Sequence, residues 1–307
     1  MIRTQFIREL TVDSPSNPQR SSKLSAASGL VLAGDFIYVV ADDEHHLGVF
    51  PAAGAADGTL VRLFPGDLPL PHKARKAAKA DAEALTRLPE FAGFPTGALL
   101  AWGSGSRPGR RAGALFGLDA AGALVGTAQL IDLSVLYSAL EIRFPELNIE
   151  GAVVSADTLV LLQRGSRKQP ENACIRLPLA AMLDALGSGD PMRVQDAMTT
   201  HTVELGQIAG TALAFTDAAA LPDGRVVFTA VAENAKDSYE DGPCAGAAIG
   251  ILANDGNLQW MQALQSLQKI EGVHAREQGD SIHLLLVTDA DDASIPSRLL
   301  AAEIRRN

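Results

Sequence analysis

The 307-residue sequence predicts an all-β fold, a five-bladed β-propeller, from three observations. A degraded phrase returns five times. Each return is followed by a turn and by apolar, β-branched runs. A strand stands spare ahead of the first unit, while the last unit lacks one. Four short strands joined by tight turns and repeated along a chain are the signature of antiparallel propeller blades.

In chain order, "TQFIRELTVD" (Thr4 to Asp13) is the spare strand. Unit one opens on "AASGLVL" (Ser28-Gly29-Leu30), turns at Ala33 to Asp35, and runs through "FIYVVADDE", "HLGVF" and "AADGTLVRLF". A basic, Ala-rich stretch with Lys73, Arg75, Lys76 and Lys79 reads as the solvated side of a small helix. Unit two opens on "DAEALTRL" (Glu83-Ala84-Leu85) and continues through "ALLAWGSGSR", "GALFGLD" and "DAAGALVGTAQL". "LSVLYSALEIRF" (Leu133 to Phe144) is a helical insertion. Unit three opens on "NIEGAVV" (Glu150-Gly151-Ala152), followed by "TLVLLQRGSR", "ACIRLPL" and a second helical insertion, "LPLAAMLDALG" (Leu177 to Gly187). Unit four is aligned at Ala219-Ala220-Leu221 of "DAAALPDG", then "RVVFTAVAEN", "GAAIGIL" and "ANDGNLQWMQAL". Unit five opens on "KIEGVHA" (Glu271-Gly272-Val273), then "SIHLLLVTDADD" and "RLLAAEI".

The units are spaced by 55, 67, 69 and 52 residues, and the insertions account for the longer intervals. Asp-Gly and Ala-Gly corners are hairpin signals. Unit five lacks a fourth run, so the N-terminal strand is expected to complete it, closing the ring and removing two sheet edges. A six-bladed ring is the alternative, with a further unit hidden in one long interval. The chain is expected to form one domain over residues 1–307.

Composition narrows the function. Hydrophobic residues at 47% with 20% charged residues describe a folded protein. A net charge of −10 argues against a nucleic-acid footprint, which needs a basic face. The N-terminal residues lack the apolar core of a signal peptide, and no apolar run reaches the ~18 residues of a membrane span. A cytoplasmic, bacterial-type protein is expected. Cys174 and Cys244 fit neither a disulfide framework nor a zinc site. "WGSGSR" is not a nucleophile elbow, and no P-loop or dinucleotide fingerprint is present.

The candidate site follows from the geometry of a meander. The start of strand one and the end of strand two lie at the same end of a hairpin, and strand one of each blade lines the axis. Glu83, Glu150 and Glu271 are therefore expected to converge at one mouth. Asp42, Asp43, Arg107, Arg164, Arg167, Glu233, Asn234, Asp289 and Asp292 are expected to ring them. Two readings compete. In one, the carboxylates are structural and pair with Arg107, Arg164 and Arg167. In the other, Glu83, Glu150 and Glu271 hold a hard divalent cation such as calcium. There Glu150 and Glu271 are the catalytic carboxyls, and Arg107, Arg164, Arg167, Asp43, Asn234 and Asp289 contact a small polar or anionic ligand. Crowded like charges raise one pKa and supply a general acid. His45 and His46 read as a solvated loop pair, His274 as packing between blades, and Trp102 and Trp260 as core.

The phrases "ASGLVLAGDFIYVVADDE", "NIEGAVVSADTLVLLQRGSR" and "KIEGVHAREQGDSIHLLLVTDADD" resemble bacterial propellers of the SdiA-regulated and esterase-like phytase group. The Glu-Gly pair is also similar to that of the gluconolactonase and regucalcin propellers, which hold a metal at the channel mouth. The resemblance implies a central pocket, calcium dependence and hydrolysis, with Glu150 and Glu271 as the best matched acids and Glu83 next. Ser28 and Ala219 replace the acid in two units. The function expected is metal-assisted hydrolysis of a small polar or phosphorylated ester or lactone. The alternative is a non-catalytic ligand-binding or protein-interaction ring.

Overall fold

The computed structural model describes residues 1–193, 198–233 and 244–305. Five antiparallel sheets form the ring. Blade one is Ala27–Ala33, Phe36–Ala41, His46–Pro51 and Thr59–Arg62. Blade two is Ala82–Leu88, Ala98–Gly103, Ala112–Leu118 and Leu124–Asp132. Blade three is Ile149–Ser155, Thr158–Gln163, Ala173–Pro178 and Thr199–Thr202. Blade four is Thr211–Ala220, Val226–Glu233, Cys244–Leu252 and Leu258–Ala263. Blade five is Ile270–Gln278, Ser281–Thr288 and Arg298–Arg305, with Thr4–Glu9 paired outside the last. The five-bladed expectation and the closing strand both hold. Inner strands touch in ring order, blade five against blade one.

Helices His72–Ala78, Ser134–Glu141 and Leu179–Ser188 occupy the expected insertions. None of the described helices is long and apolar enough to cross a membrane. One element was not legible. A two-residue strand, Gln207–Ile208, pairs with Thr211 and Ala212 through a turn with positive φ at Ala209 and Gly210. It raises a lip beside the mouth.

Between the blades, alternating side chains fill apolar layers, with Trp102, Tyr38, Tyr137 and Phe215 fully buried. Trp260 packs at the edge of one layer. Burial, followed by the charges of Arg276 and Arg87, drives the His274 pKa down to about 4.

A single device repeats in all five inner strands. Ala27 and Gly29 pair with Ala41 and Val40, so Ser28 is an extra residue, a β-bulge. The same irregularity leaves Glu83, Glu150, Thr216 and Glu271 extra in the other blades. Bulges re-aim a side chain out of the ladder. This explains a carboxylate inside an apolar strand: the bulge turns it from the packed faces toward the axis. It also corrects the register of unit four, where Thr216 and not Ala219 occupies the acid position.

The residue after each bulge faces crowding. A Cβ on Gly151 would lie 3.2 Å from the Ala218 nitrogen, and one on Gly272 2.5 Å from Val287 Cγ2. In blade four this position is Asp217, 1% exposed, whose carboxylate accepts the Val273 N–H at 2.8 Å. Burial pushes its pKa well above the carboxylate range, against the opposing hydrogen bonds of Val273, Ala218 and Leu30. The inner strands thus close the axis directly below the bulged residues, and the mouth becomes a blind cavity.

Candidate functional site

The cavity above this floor has a volume of about 1050 Å³. Ten acidic and eight basic side chains line it. Its walls include Gln19–Ser21 of the segment entering blade one, helix His72–Ala78, the 207–214 lip and the 291–294 loop.

Glu83, Glu150 and Glu271 all line this one cavity. So do Asp42, Asp43, Arg164, Arg167, Glu233, Asp289 and Asp292. Arg107 does not: it is exposed, and Arg110 enters instead, with Nη1 2.6 Å from Asp81 Oδ2. The short 3-10 turn Pro108–Arg110 carries the chain past Arg107 before blade two resumes, which exchanges the two arginines. Asn234 lies outside the described residues.

Two charge clusters share the floor. In the first, Arg164 reaches carboxylates of three blades. It lies 2.7 Å from Glu233, 3.5 Å from Glu150 and 3.7 Å from Glu271. Lys269 extends the cluster, 2.7 Å from Asp291, 3.4 Å from Glu271 and 3.7 Å from Asp289. Asn148 Nδ2 donates to Glu150 Oε1 at 2.5 Å. In the second, Lys79 bonds Asp42 and lies 2.8 Å from Asp81. Asp42, Asp81 and Glu83 each place an oxygen within 4.8 Å of the others.

The titration behaviour follows. Burial, with Glu271 and Asp81 adding repulsion against Arg164 and Lys269, pushes the Glu150 carboxyl up to about 8. Burial and then Glu150 raise Glu83 well above the carboxylate range. Burial also raises Glu271, opposed by Lys269 and Arg164. Burial favours a proton on Asp81 too, but Lys79 and Arg110 outweigh it and its pKa falls.

The acids do not gather as the expected trio. Arg164 faces both Glu150 and Glu271, while Glu83 groups with Asp42 and Asp81. A divalent cation at Asp42, Asp81 and Glu83 would have to expel the Lys79 ammonium from two of its three donors. As arranged, neither group fits the implied ion.

The basic helix also departs from expectation. Arg75 and Lys79 are each 7% exposed rather than solvated. Arg75 Nη2 lies 3.0 Å from Glu44 Oε1, and Arg20 closes on the same oxygen at 2.5 Å and on Asp43 at 2.7 Å. The acids left at the end of blade one's second strand recruit these cations, because a buried carboxylate needs a partner. His45 is also turned inward. Its Nε2 accepts the Ala80 N–H at 3.2 Å, which leaves the proton on Nδ1 facing Gly66 O at 3.2 Å.

A family model described as a family of unknown function (DUF6929) matches residues 23–304. No curated protein matches the sequence. Among solved structures the chain is similar to the tail fibre of a Staphylococcus aureus phage, at 9% identity over 99% of this chain and 53% of that one, TM-score 0.46. The chain therefore spans about half the length of that fibre chain. It is also similar to a hypothetical protein from Leishmania major, at 10% identity over 98% and 90%, TM-score 0.45. A third is an α-L-arabinofuranosidase from Fusarium graminearum, in complex with an iminosugar inhibitor, at 9% identity over 98% of both chains, TM-score 0.44.

Proposed function

The chain belongs to the DUF6929 family of unknown function, and from that premise we propose that its mouth cavity is the active site of a hydrolase. The substrate is a small polar ester or lactone, and the chemistry is carboxyl acid–base catalysis. One observation carries the reading: Glu150, 6% exposed, lines a blind cavity and keeps its proton up to about pH 8. A group whose pKa lies near the working pH exchanges protons in both directions at useful rates.

In this reading Glu150 as carboxylate takes a proton from the attacking water. The water oxygen bonds to the acyl carbon, and the bond to the leaving oxygen breaks. Glu150 then returns the proton to that oxygen. Asn148 holds Oε1, and Arg164 stands 3.5 Å from Oε2 and 3.7 Å from Glu271. The sequence phrases that resemble esterase-like propellers favour the reaction class.

Glu150→Gln keeps the shape and removes the exchangeable proton. We expect it to lower turnover of any ester or lactone accepted from a panel by about 10²-fold or more, without lowering the melting midpoint. In the wild type, turnover should rise as pH rises through about 8, as Glu150 gives up the proton that blocks it as a base. Unchanged turnover in the variant would remove Glu150 from the chemistry.

The resemblance also implies a divalent cation, and the steps above pass through none. Because Lys79 stands among the only described trio of donors, neither calcium nor a chelator should shift the melting midpoint. A rise of several degrees with calcium, lost in Asp42→Asn, would put a metal where Lys79 stands.

A second reading, a non-catalytic binding ring, has its own support. Arg164 ties carboxylates of blades three, four and five, as a structural clasp would. A wild type that binds a ligand yet turns over no ester or lactone would favour it.

A further inference from the structure

The charges that line the cavity are unequal in what they leave available. Arg20, Arg75, Lys79, Arg110, Arg164 and Lys269 each stand within ion-pair distance of a carboxylate. Arg164 meets three carboxylates, and Lys269 meets four: Asp291, Glu271, Asp289 and Glu233. An incoming phosphate or carboxylate would have to break such pairs and would leave a buried acid uncompensated.

The acids are in the opposite position. Glu83 lines the floor with neither a salt bridge nor a side-chain hydrogen bond among the described residues, and Asp42 and Asp81 crowd it. Independently, Glu271 is 4% exposed, lines the same floor, and its Oε1 has no hydrogen-bond donor. Its nearest ammonium, Lys269 at 3.4 Å, is divided among four carboxylates. A buried carboxylate oxygen without a donor, such as Glu271 Oε1, is costly, and a ligand that brings donors and positive charge relieves that cost.

We infer that the cavity selects a ligand bearing a protonated amine, received at the Glu83 carboxyl with Lys79 left in place on Asp42 and Asp81, and discriminates against phosphate and carboxylate groups. This rests on the cavity being the small-molecule site proposed above, and it specifies the substrate class: an amine-bearing ester or lactone rather than a phosphorylated one. Specificity of this kind arises as much from repelling the wrong charge as from attracting the right one.

Binding should also move a proton. Glu83 faces Asp42, Asp81 and Glu150, with Lys79 the opposing charge, and these acids with burial hold its proton on. An ammonium beside Glu83 reverses the balance, so the carboxyl ionises as the amine docks.

The test uses one polyol scaffold in three charge states: glucamine, sorbitol and sorbitol 6-phosphate, titrated calorimetrically into the full chain at pH 7.5. Glucamine is expected to bind at least tenfold more tightly than sorbitol, and sorbitol 6-phosphate not at all. Repeating the titration in two buffers of different ionisation enthalpy should reveal proton release with glucamine. Glu83→Gln should abolish the preference for glucamine; if that variant does not fold, the wild-type ranking decides. No glucamine binding, or equal or tighter binding of the phosphate, overturns the inference. Hydrolysis of neutral esters without amine binding sinks the inference and leaves the hydrolase reading standing. Glucamine binding in a chain that cleaves no ester or lactone does the reverse.

Discussion

A chain without residues 1–12 is expected to lose its cooperative unfolding transition. The segment does more than complete blade five. Ile2 exchanges backbone hydrogen bonds with Ala263 and Gln265 of blade four and its exit, both at 2.9 Å. Thr4–Glu9 pairs along Arg298–Ala302 of blade five. Thr11 O accepts the Gly58 N–H at 2.8 Å, beside blade one's fourth strand. Twelve residues therefore fasten three blades. Ile2, Leu10 and Val12 are 5%, 0% and 2% exposed, and each such burial is worth about 1.5–3 kcal/mol. Arg8 adds a guanidinium 5.2 Å from the Phe50 ring centroid and hydrogen bonds to Gly54 and Ala56 of blade one. The three apolar burials alone approach a native margin of about 5–15 kcal/mol. Urea denaturation followed by circular dichroism measures this. A truncated chain with the full-length midpoint would show that the ring is held shut by other contacts.

Arg164→Ala should be the most damaging single substitution on the floor. It leaves Glu150, Glu233 and Glu271 buried with Lys269 as their remaining shared cation. Breaking a buried pair from one side costs about 3–5 kcal/mol. The loss should depend on pH, with a definite sign. Glu150 holds its proton up to about 8 in the folded chain, whereas the unfolded chain releases it near the ordinary carboxylate value. Between those values the folded state binds more protons, so stability falls as pH rises and levels off above about 8. Without the guanidinium the carboxyls hold protons more tightly still, so the variant's slope is steeper and extends to higher pH. Wild type and variant should converge near pH 5 and separate at pH 8. Parallel curves would mean that Arg164 acts through packing and not through charge.

The fold was legible because its signal is distributed. Five phrases in register, each followed by β-branched runs and turn residues, survive the loss of any one. The site was legible only in outline. Sequence order brought Glu83, Glu150 and Glu271 to one end of the ring, but gave no sign of which cation each would meet. A local signal was available and simple. In "KADAEAL" and "QKIEG", alternation places Asp81 two residues before Glu83, and Lys269 two before Glu271. Asn148 precedes Glu150 in the same way. Those residues sit one pleat above the bulged acid and are its immediate neighbours, attractive in Lys269 and Asn148 and repulsive in Asp81. Lys79, four residues before Glu83, belongs to the same series. The helix hid Arg75 and Lys79, because an Ala- and Lys-rich helix reads as solvated unless the acids opposite are known. Asp217 was missed through a three-residue slip. Aligned at Thr216, "FTDAAA" places an aspartate where the other blades have a glycine or an alanine.

The pairing of Thr4–Glu9 with Arg298–Arg305 also sets the order of events in biosynthesis. Thr4–Glu9 is synthesised ahead of all five blades and finds its neighbour only when the last of them has been made. Until then Thr4–Glu9 is an unpaired strand, the kind of edge that nascent chains use to stick to one another. Ring closure is a contact of extreme sequence separation, so it comes late and slowly. A crowded translation system would expose this vulnerability before any assay of the finished molecule did.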